Sequence, residues 1–148
     1  MSECELVCIP PEHVAAVWPR VRGLIATAMR RGDFSAFAPV EESVLQRRAM
    51  LWLAVSRDYG RERPGGSGVA IKAAAVTELT RSETRKLCII VACGGHDMHT
   101  WLELLEPIEA FAKLEGCDAM RIIGREGWAR VLPGYRRSRA IIMEKELS

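Results

Sequence analysis

The sequence predicts one α/β domain over residues 1–148, built on a mixed, mostly antiparallel sheet flanked by helices. Three observations carry that prediction. Apolar residues recur at helical spacing through the first third of the chain. The period then shortens, giving three consecutive apolar runs joined by compact connections. After the last of these, the stretch "IIVACGGHDMHTWLELL" passes from a strand through two glycines into an amphipathic helix.

In order, residues 4–9, "CELVCI", read as a short strand closed by Pro10 and Pro11. In "EHVAAVWPRVRGLIATAMRRG", Val14, Val17, Val21, Leu24, Ile25 and Ala28 form one stripe that ends at Gly32. Pro19 falls inside it, marking either a kink or the true first turn. "PVEESVLQRRA" is a second, shorter helix whose two glutamates suit its positive end. "MLWLAVSRDY", "VAIKAAAVTEL" and "RKLCIIVAC" are strands, separated by the loop "GRERPGGSG" and the turn "TRSET". The third is apolar at almost every position from Leu87 to Cys93, so both of its faces should be covered. Met98, Trp101, Leu105, Ile108, Phe111 and Ala112 then stripe a helix interrupted by Pro107. "AMRIIG" is a further strand, "REGWARVLPG" a short helix, and "SRAIIMEKEL" a closing strand with partial alternation.

Composition excludes several classes. Hydrophobic residues are 49% and charged residues 27% of the chain, an ordinary globular balance. No apolar run approaches the length of about 18 residues that crosses a bilayer, so no membrane partner is expected. The opening "MSECELVCIPPEH" is acidic and broken by prolines, which reads against a signal peptide. Five cysteines, an odd number and several in apolar runs, suggest reduced thiols and a cytoplasmic setting. A net charge of +2 does not imply nucleic acid, although arginines crowd between Arg121 and Arg139. Exposed aromatics for base stacking do not accompany them.

The segment after Cys93 invites two chemical readings. Cys93, His96, Asp97 and His99 have the look of metal ligands, but a zinc site needs three or four converging groups. No partner pair stands elsewhere, and no metal is expected. Asp97 fits a helix N-cap. The adjacent Gly94 and Gly95 could form an anion-binding turn, or could simply supply permissive backbone angles between strand and helix.

The element order and the glycine junction after the fourth strand resemble the GNAT (N-acetyltransferase) superfamily, over nearly the whole chain. "GREGWARVLPGYRR" is similar to GNAT-like proteins encoded by phages and prophages. The resemblance implies a GNAT-like (acyl-CoA N-acyltransferase) fold and a slot between the fourth and fifth strands, Leu87–Cys93 and Ala119–Ile123, that admits acetyl-CoA. It implies that the backbone of Ile90, Val91 and Ala92 polarises the thioester. Gly94, Gly95 and the N–H groups of His96, Met98, His99 and Thr100 would bind pyrophosphate. Tyr135 would protonate the departing thiolate, Glu78 could act as base, and Arg125 and Arg130 would suit the adenosine 3′-phosphate. The loop departs from the family pattern: it is shortened, lacks the Arg or Gln before the glycines, and carries Asp97 where a pyrophosphate would sit. The acceptor would be a small-molecule or protein amine. The resemblance also admits a catalytically inactive protein working through contacts with phage proteins, and the apolar closing strand would support a homodimer across a sheet edge.

Overall fold

A computed structural model describes residues 4–32, 37–56, 70–95, 102, 105–123, 128, 130–132, 134–138, 141 and 143–147. Its elements are β1 (Cys4–Cys8), α1 (Val14–Gly32), α2 (Phe37–Leu45), β2 (Met50–Ser56), β3 (Ala70–Arg81), β4 (Lys86–Gly95), α3 (Leu105–Leu114) and β5 (Ala119–Ile122). A single 3-10 turn over Pro11–His13 leads into α1. The five strands form one sheet in sequence order, β1-β2-β3-β4-β5. The first three pairings are antiparallel, and β4 pairs β5 in parallel across the α3 crossover.

Strand alternation divides the core into two layers. Leu51, Leu53, Ala74, Val76 and Ala92 face α1 and α2, meeting Val14, Trp18, Val21, Ile25 and Met29 along one stripe of α1. Trp52, Ala54, Ala73, Ala75, Cys88, Ile90 and Cys93 face the other way, onto Leu105, Ile108 and Ala112 of α3. Both faces of β4 are therefore covered, as its unbroken apolar run required. The alanine run Ala73–Ala75 is buried on both sides, its small side chains letting helices approach the sheet closely.

Pro19 lies inside α1 rather than at its start. At the α1–α2 contact, Glu41 accepts from Trp18 Nε1 at 2.7 Å and from Arg22 Nε at 2.6 Å. The Arg22 guanidinium sits 4.8 Å over the Phe37 ring, which stacks on Trp18. These contacts hold the carboxyl of Glu41 below its ordinary range, mainly through the Arg22 hydrogen bond and then that from Trp18. After α2, Arg47 takes a left-handed backbone (φ 64°), and the N–H groups of Arg48 and Ala49 close on the Ser43 carbonyl.

The closing strand expected over "SRAIIMEKEL" is not found among its described residues: 141 and 143–147 are irregular, with Ile141, Met143 and Leu147 78%, 85% and 86% exposed. No helix of the described residues is long and apolar enough to cross a membrane.

Candidate functional site: the open end of β4

β4 outruns its parallel neighbour. Leu87, Cys88, Ile89 and Ile90 pair with Ala119, Met120, Arg121 and Ile122, and the last link is Ile123 N–H to the Ile90 carbonyl at 3.4 Å. From Val91 to Gly95, β4 has β3 on one side and, among the described residues, no strand on the other. At a strand rise of about 3.3 Å per residue, five residues give a slot roughly 16 Å long. Strand backbone without a neighbour presents N–H and C=O groups that an extended, amide-bearing ligand can meet.

The β4–β5 pairing ends at a bulge. Val76 is opposite Ala92 and Thr77 opposite Ile90, so Val91 is the extra residue on β4. One consequence is visible in the packing. Ile90 and Cys93 face α3, while the consecutive Val91 and Ala92 both turn toward the α1 layer. An extra residue kinks a strand and increases its local twist, and here it falls where the β4–β5 pairing stops. That places the bulge among the residues assigned above to thioester polarisation, Ile90, Val91 and Ala92.

Gly94 and Gly95 belong to the strand, not to the turn after it, and neither has a positive φ. Their lack of a side chain has a different cause. A Cβ on Gly94 would stand 2.5 Å from the Leu24 carbonyl oxygen of α1, and one on Gly95 would stand 2.8 Å from both Ala73 Cβ and the Lys72 carbonyl oxygen. Gly94 thus lets α1 lie directly on the tip of β4, forming one wall of the slot, while Gly95 lets β3 approach that tip from within the sheet.

Tyr135 packs against the α3-side layer, and its hydroxyl donates to Glu109 Oε1 at 2.9 Å. Burial, then the hydrogen bond to Glu109, raise its pKa, so the hydroxyl keeps its proton through the neutral range. Glu78 of β3 pairs with Ile89 of β4 and, by alternation with Val76, lies on the α1 side of the sheet. Glu78 and Tyr135 therefore approach β4 from opposite faces. Arg130 is exposed in a single 3-10 turn that also contains Trp128, whose ring packs against the α3-side layer. His96, Met98, His99, Thr100 and Arg125 lie outside the described residues, as do Asp97 and Trp101.

Cys93 points into the α3-side core, where burial pushes its thiol up to about 12. Burial likewise pushes Cys88 up to about 11, with Cys117 adding to it. Thiols so protonated are poor metal ligands and poor nucleophiles. Among the described residues no three His, Cys, Asp or Glu side chains converge as a metal site would need.

No protein-family model matches this sequence, and no curated protein does. Solved structures do. An aminoglycoside acetyltransferase from an uncultured soil metagenomic sample, meta-AAC0020 in complex with sisomicin, matches over 98% of this chain and 97% of its own, with TM-score 0.67 and 9% identity. The fold is that of the GNAT acetyltransferases. A GNAT family acetyltransferase of Staphylococcus aureus subsp. aureus matches with TM-score 0.61 and 11% identity over 99% of this chain and 100% of its own. A possible acetyltransferase from Clostridium difficile 630 matches with TM-score 0.62 and 10% identity, covering 98% and 99%. At such identities the likeness is one of fold, and the chemistry must be argued from this GNAT fold's own residues.

Proposed function

We propose that this chain is an acetyl-CoA-dependent N-acetyltransferase whose pyrophosphate loop is shortened and altered. The observation that carries the reading is the bulged end of β4 from Val91 to Gly95, which among the described residues pairs with β3 alone and has α1 against Gly94. The slot would take the pantetheine arm as if it were an added strand, with the backbone of Ile90, Val91 and Ala92 toward the thioester carbonyl. Gly94, Gly95 and the N–H groups of His96, Met98, His99 and Thr100 would meet the pyrophosphate, and Arg125 and Arg130 the 3′-phosphate. The acceptor amine, on a small molecule or a protein, attacks the thioester carbon. The C–S bond breaks, Glu78 takes the amine proton, and Tyr135 gives its proton to the thiolate. To do so the Tyr135 hydroxyl must turn away from Glu109.

Acetyl-CoA at a hundredfold its Kd should stabilise the protein by about 2.7 kcal/mol, read as a rise in melting temperature. Arg130→Ala should reduce that rise if the basic face binds the nucleotide. Tyr135→Phe should lower kcat by about a hundredfold or more with little change in KM, since it removes a proton donor and no substrate contact. Absence of any shift at millimolar acetyl-CoA would overturn the transferase reading. The fold would then serve through protein contacts, with phage or prophage proteins as the partners the "GREGWARVLPGYRR" run suggests.

A further inference from the structure

A phenolic hydroxyl has one proton to donate. In Tyr135 that proton is directed to Glu109 Oε1, 2.9 Å away on α3. The step assigned to Tyr135 above needs the same proton at a sulfur in the slot. The two uses exclude each other, and the strength of the Glu109 contact decides between them.

The ring itself is well placed. Tyr135 packs against the layer that also holds Cys88, Ile90 and Cys93 of β4. Ile90 is the last β4 residue opposite β5. The chain enters Tyr135 through Gly134, whose φ of 79° is left-handed, and the Tyr135 N–H donates to the Leu132 carbonyl at 3.3 Å. Leu132 is buried, so this turn is anchored under the layer, and the hydroxyl can move by side-chain rotation alone.

A carboxylate is a strong acceptor for the hydroxyl. After burial, the Glu109 hydrogen bond and charge oppose loss of the phenol proton, with Cys88 adding to them. Glu109 is exposed, however, and water competes for the contact. A bond of that kind favours the closed arrangement by about three- to tenfold. It holds the hydroxyl at rest, yet a ligand that accepts from Tyr135 can open it.

We propose that Glu109 is a positioning residue that latches Tyr135 to α3, so that the slot gains its proton donor when the latch opens. This rests on the reading of Tyr135 as the group that protonates the thiolate. Glu109 acts through Tyr135 and does not itself meet the thioester. A thiolate in the slot competes with Glu109 for the hydroxyl, so the product draws its proton donor to itself.

Two measurements test the latch, and the first needs no ligand. In a Tyr59→Phe background Tyr135 is the one tyrosine left of the chain's two. Labelled as 3-fluorotyrosine, it gives one fluorine resonance that follows its ionisation. At a fixed alkaline pH at which the protein stays folded, Glu109→Gln should raise the ratio of tyrosinate to tyrosine about three- to tenfold. Glu106→Gln, a like loss of charge about one turn away on α3, should leave it unchanged. The second measurement compares CoA with desulfo-CoA by calorimetry at alkaline pH, where thiolate is present. Glu109→Gln should tighten CoA about three- to tenfold and leave desulfo-CoA unchanged, because apparent affinity rises with the fraction of open Tyr135. Tyr135→Phe should erase that gain. Absence of CoA binding in every chain overturns the transferase reading and the latch with it. CoA binding that Glu109→Gln fails to tighten, or a fluorine titration that it fails to move, overturns the latch alone. So does an equal change for CoA and desulfo-CoA, which would make Glu109 a support for the fold.

Discussion

Gly94→Ala should lower stability by about 2–3 kcal/mol, seen as a fall of roughly 6–12 °C in melting temperature. The added Cβ would meet the Leu24 carbonyl oxygen at 2.5 Å and Ala28 Cβ at 3.1 Å. The first is main chain, so no rotamer change relieves the contact. α1 must lift as a unit, loosening Val21 and Ile25 where they fill the layer against Leu51, Leu53 and Val76. Gly23→Ala, on the same helix, provides the contrast. A Cβ there meets nothing within 4 Å, and replacing an exposed helical glycine by alanine should stabilise by about 0.5–1 kcal/mol. Thermal unfolding of the two variants side by side separates packing from helix propensity. Equal and opposite signs are not required, but a harmless Gly94→Ala would mean that α1 does not rest on β4. Because α1 walls the slot, Gly94→Ala should also diminish the stabilisation given by acetyl-CoA beyond its effect on the fold.

The architecture was legible because its elements are written in local periods. The α1 stripe, the alternation of Leu51 and Leu53 against Trp52 and Ala54, and the doubly buried run of β4 all follow from side-chain spacing alone. The site was legible only in outline. The bulge at Val91 falls within "LCIIVAC", where no glycine, proline or polar residue marks it, since its position is set by register against β3. Gly94 and Gly95 resemble a turn in sequence, yet their reason is the proximity of Leu24 and of Ala73, which no local rule reports. The Tyr135–Glu109 hydrogen bond joins residues 26 apart, across the end of α3 and the whole of β5, a separation that no local period reports. The alternation of "SRAIIMEKEL" predicts a strand, and none of its described residues is in one. A strand needs a neighbour as well as a period, and alternation reports only the period.

The largest stability loss is expected at Trp52→Ala, about 3–5 kcal/mol. Trp52 is 5% exposed, its ring meets Phe111 edge-on at 5.3 Å, and its Nε1 donates to Thr77 Oγ1 at 2.9 Å. Truncation leaves a cavity between the sheet and α3 and removes a partner from a hydroxyl that is fully buried. Thr77→Val removes the acceptor instead, orphaning the indole N–H at a cost of about 1–3 kcal/mol. Trp52→Phe with Thr77→Val should cost less than the sum of the two single changes, because the double variant leaves neither polar group unsatisfied. Denaturant unfolding of the four proteins measures that coupling. The consequence reaches the slot. Thr77 stands opposite Ile90, the last β4 residue before the bulge, so the Trp52–Thr77 bond fixes β3 where β4 leaves register. Thr77→Val should therefore reduce acetyl-CoA stabilisation by more than a distant substitution of equal stability cost. An undiminished ligand shift in Thr77→Val would separate the bulge from the binding geometry and return Trp52 to the core alone.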